Sequence, residues 1–381
     1  MKRMLFLLIS FSLLAFPSRS SRVSAQQASP PDEPDSGAVV CEPSPYPDTA
    51  QGCVALGPSH YLSDLASRGL TIPPRPLPAF QPGPALSDLP YKYYHLNEDE
   101  YVPIYSSPGE RGTGVNQFPP GFVYVSYVDV WNQAGTYFLL QNGGWIPGKG
   151  SRVGEIPHFQ GLQFSSTPRN SFGWSYDLIP IKVAPGYNAP DTGNFVNIYQ
   201  VVQIYDTQTV DGADWNMIGP NQWVEARKIA QVVVDTTPPD GVTNNRWIDV
   251  NLAEQSLAVY DNRQLVFATV IASGLEPYWT KPGLFQIYQK KETETMRNND
   301  PAEFYYLDDV PWTMYFDSAR ALHGAYWRTR LGYPQSHGCV NLSVGDAHWL
   351  FNWAVEGDWV YVHDPSGLTP PDPSLYSDYA Y

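Results

Sequence analysis

Proline and glycine interrupt this chain so often that long helices are disfavoured: 37 Pro and 30 Gly fall within 381 residues, and apolar and polar residues alternate in the short runs between them. Proline fixes φ and removes a backbone donor, glycine supplies turns, and an aromatic share of 14 % suits pleated, half-buried surfaces. A mainly β protein is therefore expected. The length exceeds what one ordinary domain needs, so two or three compact units are anticipated. Lys+Arg 23 against Asp+Glu 38 gives a net charge of −15, which argues against nucleic acid or an anionic membrane surface as the main partner. No apolar run after the N-terminus approaches the roughly 20 residues needed to cross a bilayer.

At the N-terminus, Lys2 and Arg3 precede an apolar stretch from Met4 to Phe16, followed by the small-residue exit Val23-Ser24-Ala25. This is the pattern of an export signal, residues 1–25, cleaved after Ala25 or kept as an anchor. Export allows Cys41 and Cys53 to pair in an oxidising compartment, which leaves Cys339 as the unpaired thiol.

Residues 26–90 read as a Pro-rich spacer with a short helix around Tyr61 to Ser67. Two stretches then repeat at an offset of 77 to 78. Val102-Pro103-Ile104 returns as Ile179-Pro180-Ile181, the run from Val123 to Val128 as Val201 to Tyr205, and Gly144-Trp145-Ile146 as Gln222-Trp223-Val224. Residues 91–160 and 161–235 loosely resemble bacterial SH3-like domains, which implies two small β-barrels. A linker, 236–245, contains Thr236-Thr237-Pro238-Pro239-Asp240-Gly241. Beyond it Trp247–Leu252, Leu257–Tyr260 and Leu265–Ala272 read as a β-meander. Ser343 is a candidate N-cap for one helix carrying Ala347, Leu350, Phe351 and Ala354 on one face, with His348 on the other. Trp359–Val362 reads as a closing strand, and 365–381 as a loosely ordered tail.

The densest chemistry lies in Ser336-His337-Gly338-Cys339-Val340-Asn341, with a second His-Gly pair, His323-Gly324, sixteen residues before the cysteine. A free thiol is only a few per cent ionised at neutral pH, so a nucleophilic cysteine needs a base beside it. His323 is one candidate. His337 is the other, since an extended Ser336–Val340 would aim His337 and Cys339 to one side. Gly338 lets backbone N–H groups approach a substrate oxygen. Tyr315 and Trp327 are expected to wall a groove, with Trp312, Tyr326 and Tyr333 mostly packing. Arg328 and Arg330 are either partners for a substrate carboxylate or a solvated surface pair. Neither a paired-Cys nor an H-E-x-x-H spacing is present, so no metal or other cofactor is expected.

These residues, with the opening strands from Arg246 and Thr280-Lys281-Pro282-Gly283, resemble the signature of the L,D-transpeptidase (YkuD-type) catalytic domain over residues 246–364. The resemblance implies a β-sandwich-like domain with one supporting helix. It implies Cys339 as acyl-enzyme nucleophile, His323 as base oriented by the Gly324 carbonyl, and oxyanion donors from His337, Gly338 and Cys339. Ser336 and Asn341 fall at substrate-facing positions, and Asn341 stands where many members have Arg. The implied partners are donor and acceptor stem peptides of peptidoglycan, outside the cytoplasm. Two other readings remain open: an L,D-carboxypeptidase in which water takes the acyl group, and a non-catalytic wall-binding protein. Papain-like wall peptidases place the cysteine before the histidine, the reverse of the order here.

Overall fold

The computed structural model describes residues 58–376 apart from 90, 113, 134 and 150–158. The export signal and the Cys41–Cys53 pairing lie outside the described residues. The fold is mainly β, as the turn-rich sequence predicts, with α-helices at Pro58–Ser67 and Val344–Trp353.

Two sheets face each other across the main core. The first runs in the order 79–80, 162–164, 264–270, 256–261, 246–251, 359–363, 283–286. Its centre is the expected meander, Arg246–Asn251, Ser256–Asp261 and Gln264–Val270, turning at Asn262 and Arg263 with positive φ. The closing strand Trp359–His363 adds alongside Arg246–Asn251 in parallel. The second sheet contains Val340–Leu342, Arg320–Gly324, Tyr305–Asp317 and Phe122–Trp131 in that order, continuing to 137–140 and 145–147. Ile248, Val250, Val259 and Phe267 of the first sheet meet Met314, Phe316, Leu322 and Val340 of the second, all at most 3 % exposed. Burial of such side chains contributes ~2 kcal/mol each and is the main force closing the sandwich.

The upstream segments share these sheets. Phe122–Trp131 pairs in parallel with Tyr305–Asp317, and Leu162–Phe164 pairs antiparallel with Gln264–Val270. Between them in sequence order and the linker lie a five-stranded sheet (191–196, 179–182, 222–225, 213–219, 206–210) and a three-stranded one (201–203, 172–175, 229–232). The two repeat copies differ in length: the ten-residue Phe122–Trp131 corresponds to the three-residue strand Val201–Gln203. In the tail, Tyr376 is buried, with the Arg320 guanidinium 5.7 Å from its ring centroid.

The Val344–Trp353 helix starts as its sequence predicts, the Ser343 side chain accepting from the Asp346 N–H. Its Ala347 and Leu350 enter the sandwich core. Asp346 has no exposure. It accepts from the Gly161 N–H at 2.9 Å and from Thr269 Oγ1, tying the helix to the first sheet. Burial pushes its carboxyl up to about 6, against the lowering effect of those hydrogen bonds. A folded-state value above the unfolded one means stability from this group is complete below the ordinary aspartate range and is lost as pH rises to about 6. Asp346→Asn keeps an oxygen for Gly161 and offers an N–H₂ to Thr269 without the ionisation cost. In denaturant unfolding at pH 4 and pH 8, the variant should gain on the parent by up to ~3 kcal/mol at the higher pH. A difference independent of pH would mean that Asp346 titrates normally.

Candidate active site

Arg320–Gly324 and Val340–Leu342 run parallel, joined by a crossover that carries residues 325–339, and their register sets His323 opposite Asn341. Cys339 lies in the bend that leads directly into Val340–Leu342, and with His323 and Asn341 it lines one cavity. Positive φ at Gly338 (109°) breaks the extended run that would aim His337 with Cys339. His337 is instead exposed, its ring 4.6 Å from Tyr278 and 5.2 Å from Tyr305. That φ favours glycine at the turn, and a Cβ there would lie 3.2 Å from Arg320 Nε.

Cys339 is a free, half-buried thiol, its Sγ 3.7 Å from the Ala319 carbonyl. Burial pushes its pKa up, opposed by the Ala321 N–H and the Arg320 guanidinium. His323 is 1 % exposed, and burial pushes it down to about 4, the Gly324 carbonyl opposing and Arg328 assisting. At neutral pH the resting pair is therefore a neutral thiol and a neutral imidazole. His323 Nδ1 lies 3.2 Å from the Gly324 carbonyl, which fixes that nitrogen as the donor, and Nε2 lies 3.0 Å from Asn341 Nδ2. Asn341 Oδ1 in turn accepts from Arg328 Nε at 3.2 Å, giving a chain of bonds from guanidinium to amide to imidazole to backbone.

A cavity of about 1200 Å³ opens over these groups. Cys339, His323, His337, Ser336, Asn341, Tyr315, Trp327 and Arg328 all line it. Burial raises the Tyr315 hydroxyl, with Glu294 and then Cys339 adding to the effect. His337 is held below its usual value by the cover around its ring, with Glu303 opposing. Arg328 is partly buried. It is held by Asn341 and by the Gln335 side chain and carbonyl, none of them a carboxylate. It is not part of a solvated surface pair with Arg330, whose Nη2 leaves the site to donate to the Tyr176 carbonyl at 2.8 Å.

Other expected residues fall elsewhere. Tyr326 stacks on Tyr93 with centroids 3.6 Å apart, Trp312 stacks on His348 at 3.8 Å, and Tyr333 packs edge-on to Tyr176. His348 Nδ1 lies 3.1 Å from the Leu86 carbonyl, and His363 pairs with Asp249 at 2.9 Å. The Gly338 N–H, expected to face a substrate oxygen, donates to Ser336 Oγ at 3.1 Å, because that hydroxyl also closes onto the Cys339 carbonyl and pins the turn. Gly324 contributes through its carbonyl, not its N–H.

Two contributors, Arg320 and Phe122, had no local signal, and a third, Thr280, was legible only within the Thr280-Lys281-Pro282-Gly283 resemblance. Arg320 is 8 % exposed, pairs with Asp317 at 2.9 Å and keeps its Nε without a hydrogen-bond partner among the described residues. Thr280 Oγ1 accepts from the Gly274 N–H and donates to the Gly338 carbonyl, both at 2.9 Å, bracing the turn before Cys339 from another loop. Phe122 reaches the cavity wall from the upstream segment. Nothing in the periodicity of their strands points to Arg320 or Phe122.

Residues 245–362 match the family model described as YkuD, the L,D-transpeptidase catalytic domain. A curated Bacillus subtilis (strain 168) protein, YciB, whose name assigns it provisionally to the L,D-transpeptidases, is 23 % identical over 159 residues, covering 33 % of this chain and 73 % of the relative. Among solved structures, an L,D-transpeptidase from Stackebrandtia nassauensis is 27 % identical with a TM-score of 0.26. That match covers 31 % of this chain and only 55 % of the other, about half its length. The catalytic domain of an L,D-transpeptidase from E. faecium is 25 % identical with a TM-score of 0.29, covering 32 % of this chain and all of that one.

Proposed function

We propose, from the L,D-transpeptidase catalytic domain of the YkuD family that residues 245–362 carry, that this chain is a peptidoglycan L,D-transpeptidase with Cys339 as nucleophile and His323 as base. The observation that carries the reading is a free thiol and an oriented, buried imidazole lining the same cavity.

The resting neutral pair assigns the order of events. The thiol keeps its proton until substrate enters; Asn341 Nδ2 then yields His323 Nε2, which takes the proton as Sγ attacks the carbonyl carbon of the bond between the L-centre and D-alanine. The tetrahedral oxyanion collapses, and His323 returns the proton to the departing D-alanine amine, leaving a thioester on Cys339. An acceptor amine attacks the thioester, gives its extra proton to His323, and the thiol is restored. Electrostatic help at the sulfur comes from Arg320 and the Ala321 N–H. Arg328 docks a carboxylate of the donor stem, taking the charge-recognition part that Asn341 does not supply. The signal-like pattern of residues 1–25 supports an extracytoplasmic setting, beside the polymer such an enzyme would act on.

Intact-mass spectrometry of the full chain with a disaccharide-tetrapeptide tests this. An adduct equal to the stem minus D-alanine is expected on the protein, discharged faster when an amine acceptor stem is added. Discharge at one rate with or without acceptor would instead indicate an L,D-carboxypeptidase, and no adduct with intact stems would reject acyl transfer.

A further inference from the structure

The upstream segment 91–149 is joined to the catalytic part through the residues that wall the cavity. Phe122 sits opposite Tyr305 in the parallel pairing, its N–H donating to the Phe304 carbonyl at 3.2 Å. That approach requires Gly121, where a Cβ would fall 2.4 Å from the Phe304 oxygen. The same strand is held by Ser126 Oγ, which donates to Asp308 at 3.0 Å and closes on Asp309, and by the Tyr93 hydroxyl on the Asp309 carbonyl at 2.8 Å.

From the cavity wall a run of rings leads to the imidazole. Phe122 and Tyr124 point to one side of their strand with centroids 5.1 Å apart. Tyr124 is 5.9 Å from Tyr326, Tyr326 is 4.8 Å from Trp327, and Trp327 is 5.7 Å from His323. Tyr124, Tyr326 and Val344 belong to one buried cluster, with Phe122 and Trp327 packed against it. Trp327 and Arg328 thus sit on a turn whose underside is upstream chain, and Tyr124 and Arg328 are near enough to interact electrostatically.

We propose that segment 91–149 is a working part of the catalytic unit: Phe122 completes the wall of a subsite that takes a carboxylate-bearing aliphatic peptide on Arg328, and Tyr124 is a positioning residue that holds, through Tyr326, the Trp327–Arg328 turn beside His323. The ligand class rests on the acyl-transfer reading above; the bracing of His323 does not. A cavity lined by an aromatic ring and by a guanidinium bonded to amide and carbonyl oxygens, with no carboxylate partner among the described residues, suits a short peptide whose methyl and methylene groups pack on aromatics while its carboxylate meets the cation. A module that merely tethered the enzyme to its polymer would need no ring in the cavity.

Two variants of the full chain test the two halves. Phe122→Ala should raise KM for the tetrapeptide stem ~10-fold while kcat stays within ~3-fold, as expected for lost wall contact. Tyr124→Leu should slow alkylation of Cys339 by iodoacetamide at pH 7 ~10-fold, with Tyr124→Phe restoring the parent rate because the ring, not the hydroxyl, carries the contact. Thermal melts of all three confirm that folded protein is compared. A folded Phe122→Ala with unchanged KM overturns the subsite. A folded Tyr124→Leu with the parent alkylation rate overturns the bracing. If the parent turns over no stem peptide, yet Tyr124→Leu still loses alkylation and Tyr124→Phe recovers it, the acyl-transfer reading and its subsite fall and the bracing of His323 stands.

Discussion

Cys339→Ala should lower D-alanine release from a tetrapeptide stem by at least ~10⁴-fold and abolish the mass adduct formed with a carbapenem, the reagent class the family resemblance suggests. The size follows from the chemistry: without sulfur there is no covalent intermediate, and a water held in the same place would meet a base whose pKa is only about 4. The fold should survive, because the thiol is only half-buried and its contact to the Ala319 carbonyl, at 3.7 Å, is long. Cys339→Ser is the sharper companion. It keeps the side-chain shape but raises the acidity problem, since a hydroxyl is far less acidic than a thiol already pushed up by burial. The serine variant should bind the stem with near-parent affinity in calorimetry and still fail to release D-alanine. Residual release above a hundredth of the parent rate in either protein would assign the nucleophile elsewhere.

What the sequence disclosed and what it hid divide by range. The Ser343 cap, the helix face of Ala347 and Leu350, the meander from Arg246 and the closing strand at Trp359 depend on neighbours a few residues away, and each is found as its pattern predicts. Cys339 and His323 were legible as a pair of motifs because the residue types advertise their chemistry. Their relation was not legible. It rests on a parallel pairing that sets His323 against Asn341 across eighteen residues, and on the positive φ of Gly338, which turns His337 aside. An extended reading of Ser336–Val340 treats the two histidines as rivals; the backbone places one in the buried floor and the other on the exposed rim. The Ser336 hydroxyl shows the same limit at shorter range, since its capture of the Gly338 N–H depends on how tightly the turn closes. Longest in range is the parallel pairing of Phe122–Trp131 with Tyr305–Asp317, which joins segments about 180 residues apart and leaves no trace in the pattern of either strand.

His323→Gln should reduce kcat by ~10³-fold while leaving the protein folded, and its pH behaviour separates loss of a base from loss of shape. Glutamine can still donate to the Gly324 carbonyl or meet Asn341, so the buried site is not left with two orphaned partners. In the parent, His323 is neutral above about pH 4, so the acid limb of the turnover profile should fall near that value, not near the usual imidazole range. The variant should lack this limb. Because burial also holds the Cys339 thiol above its ordinary value, iodoacetamide labelling of the parent should keep rising through pH 9. Stability gives an independent check with a fixed sign. A histidine whose folded pKa lies below its unfolded one leaves the unfolded chain holding the extra proton between about pH 6.5 and 4, so the parent loses up to ~3 kcal/mol as pH falls through that window and is unaffected above it. Glutamine does not titrate, and the variant should narrow or reverse the stability gap at pH 4.5 relative to pH 8 in denaturant unfolding. A variant that labels as fast as the parent across neutral pH, with the same acid limb in turnover, would remove His323 as base and return His337, on the rim between Tyr278 and Tyr305, as the group to test.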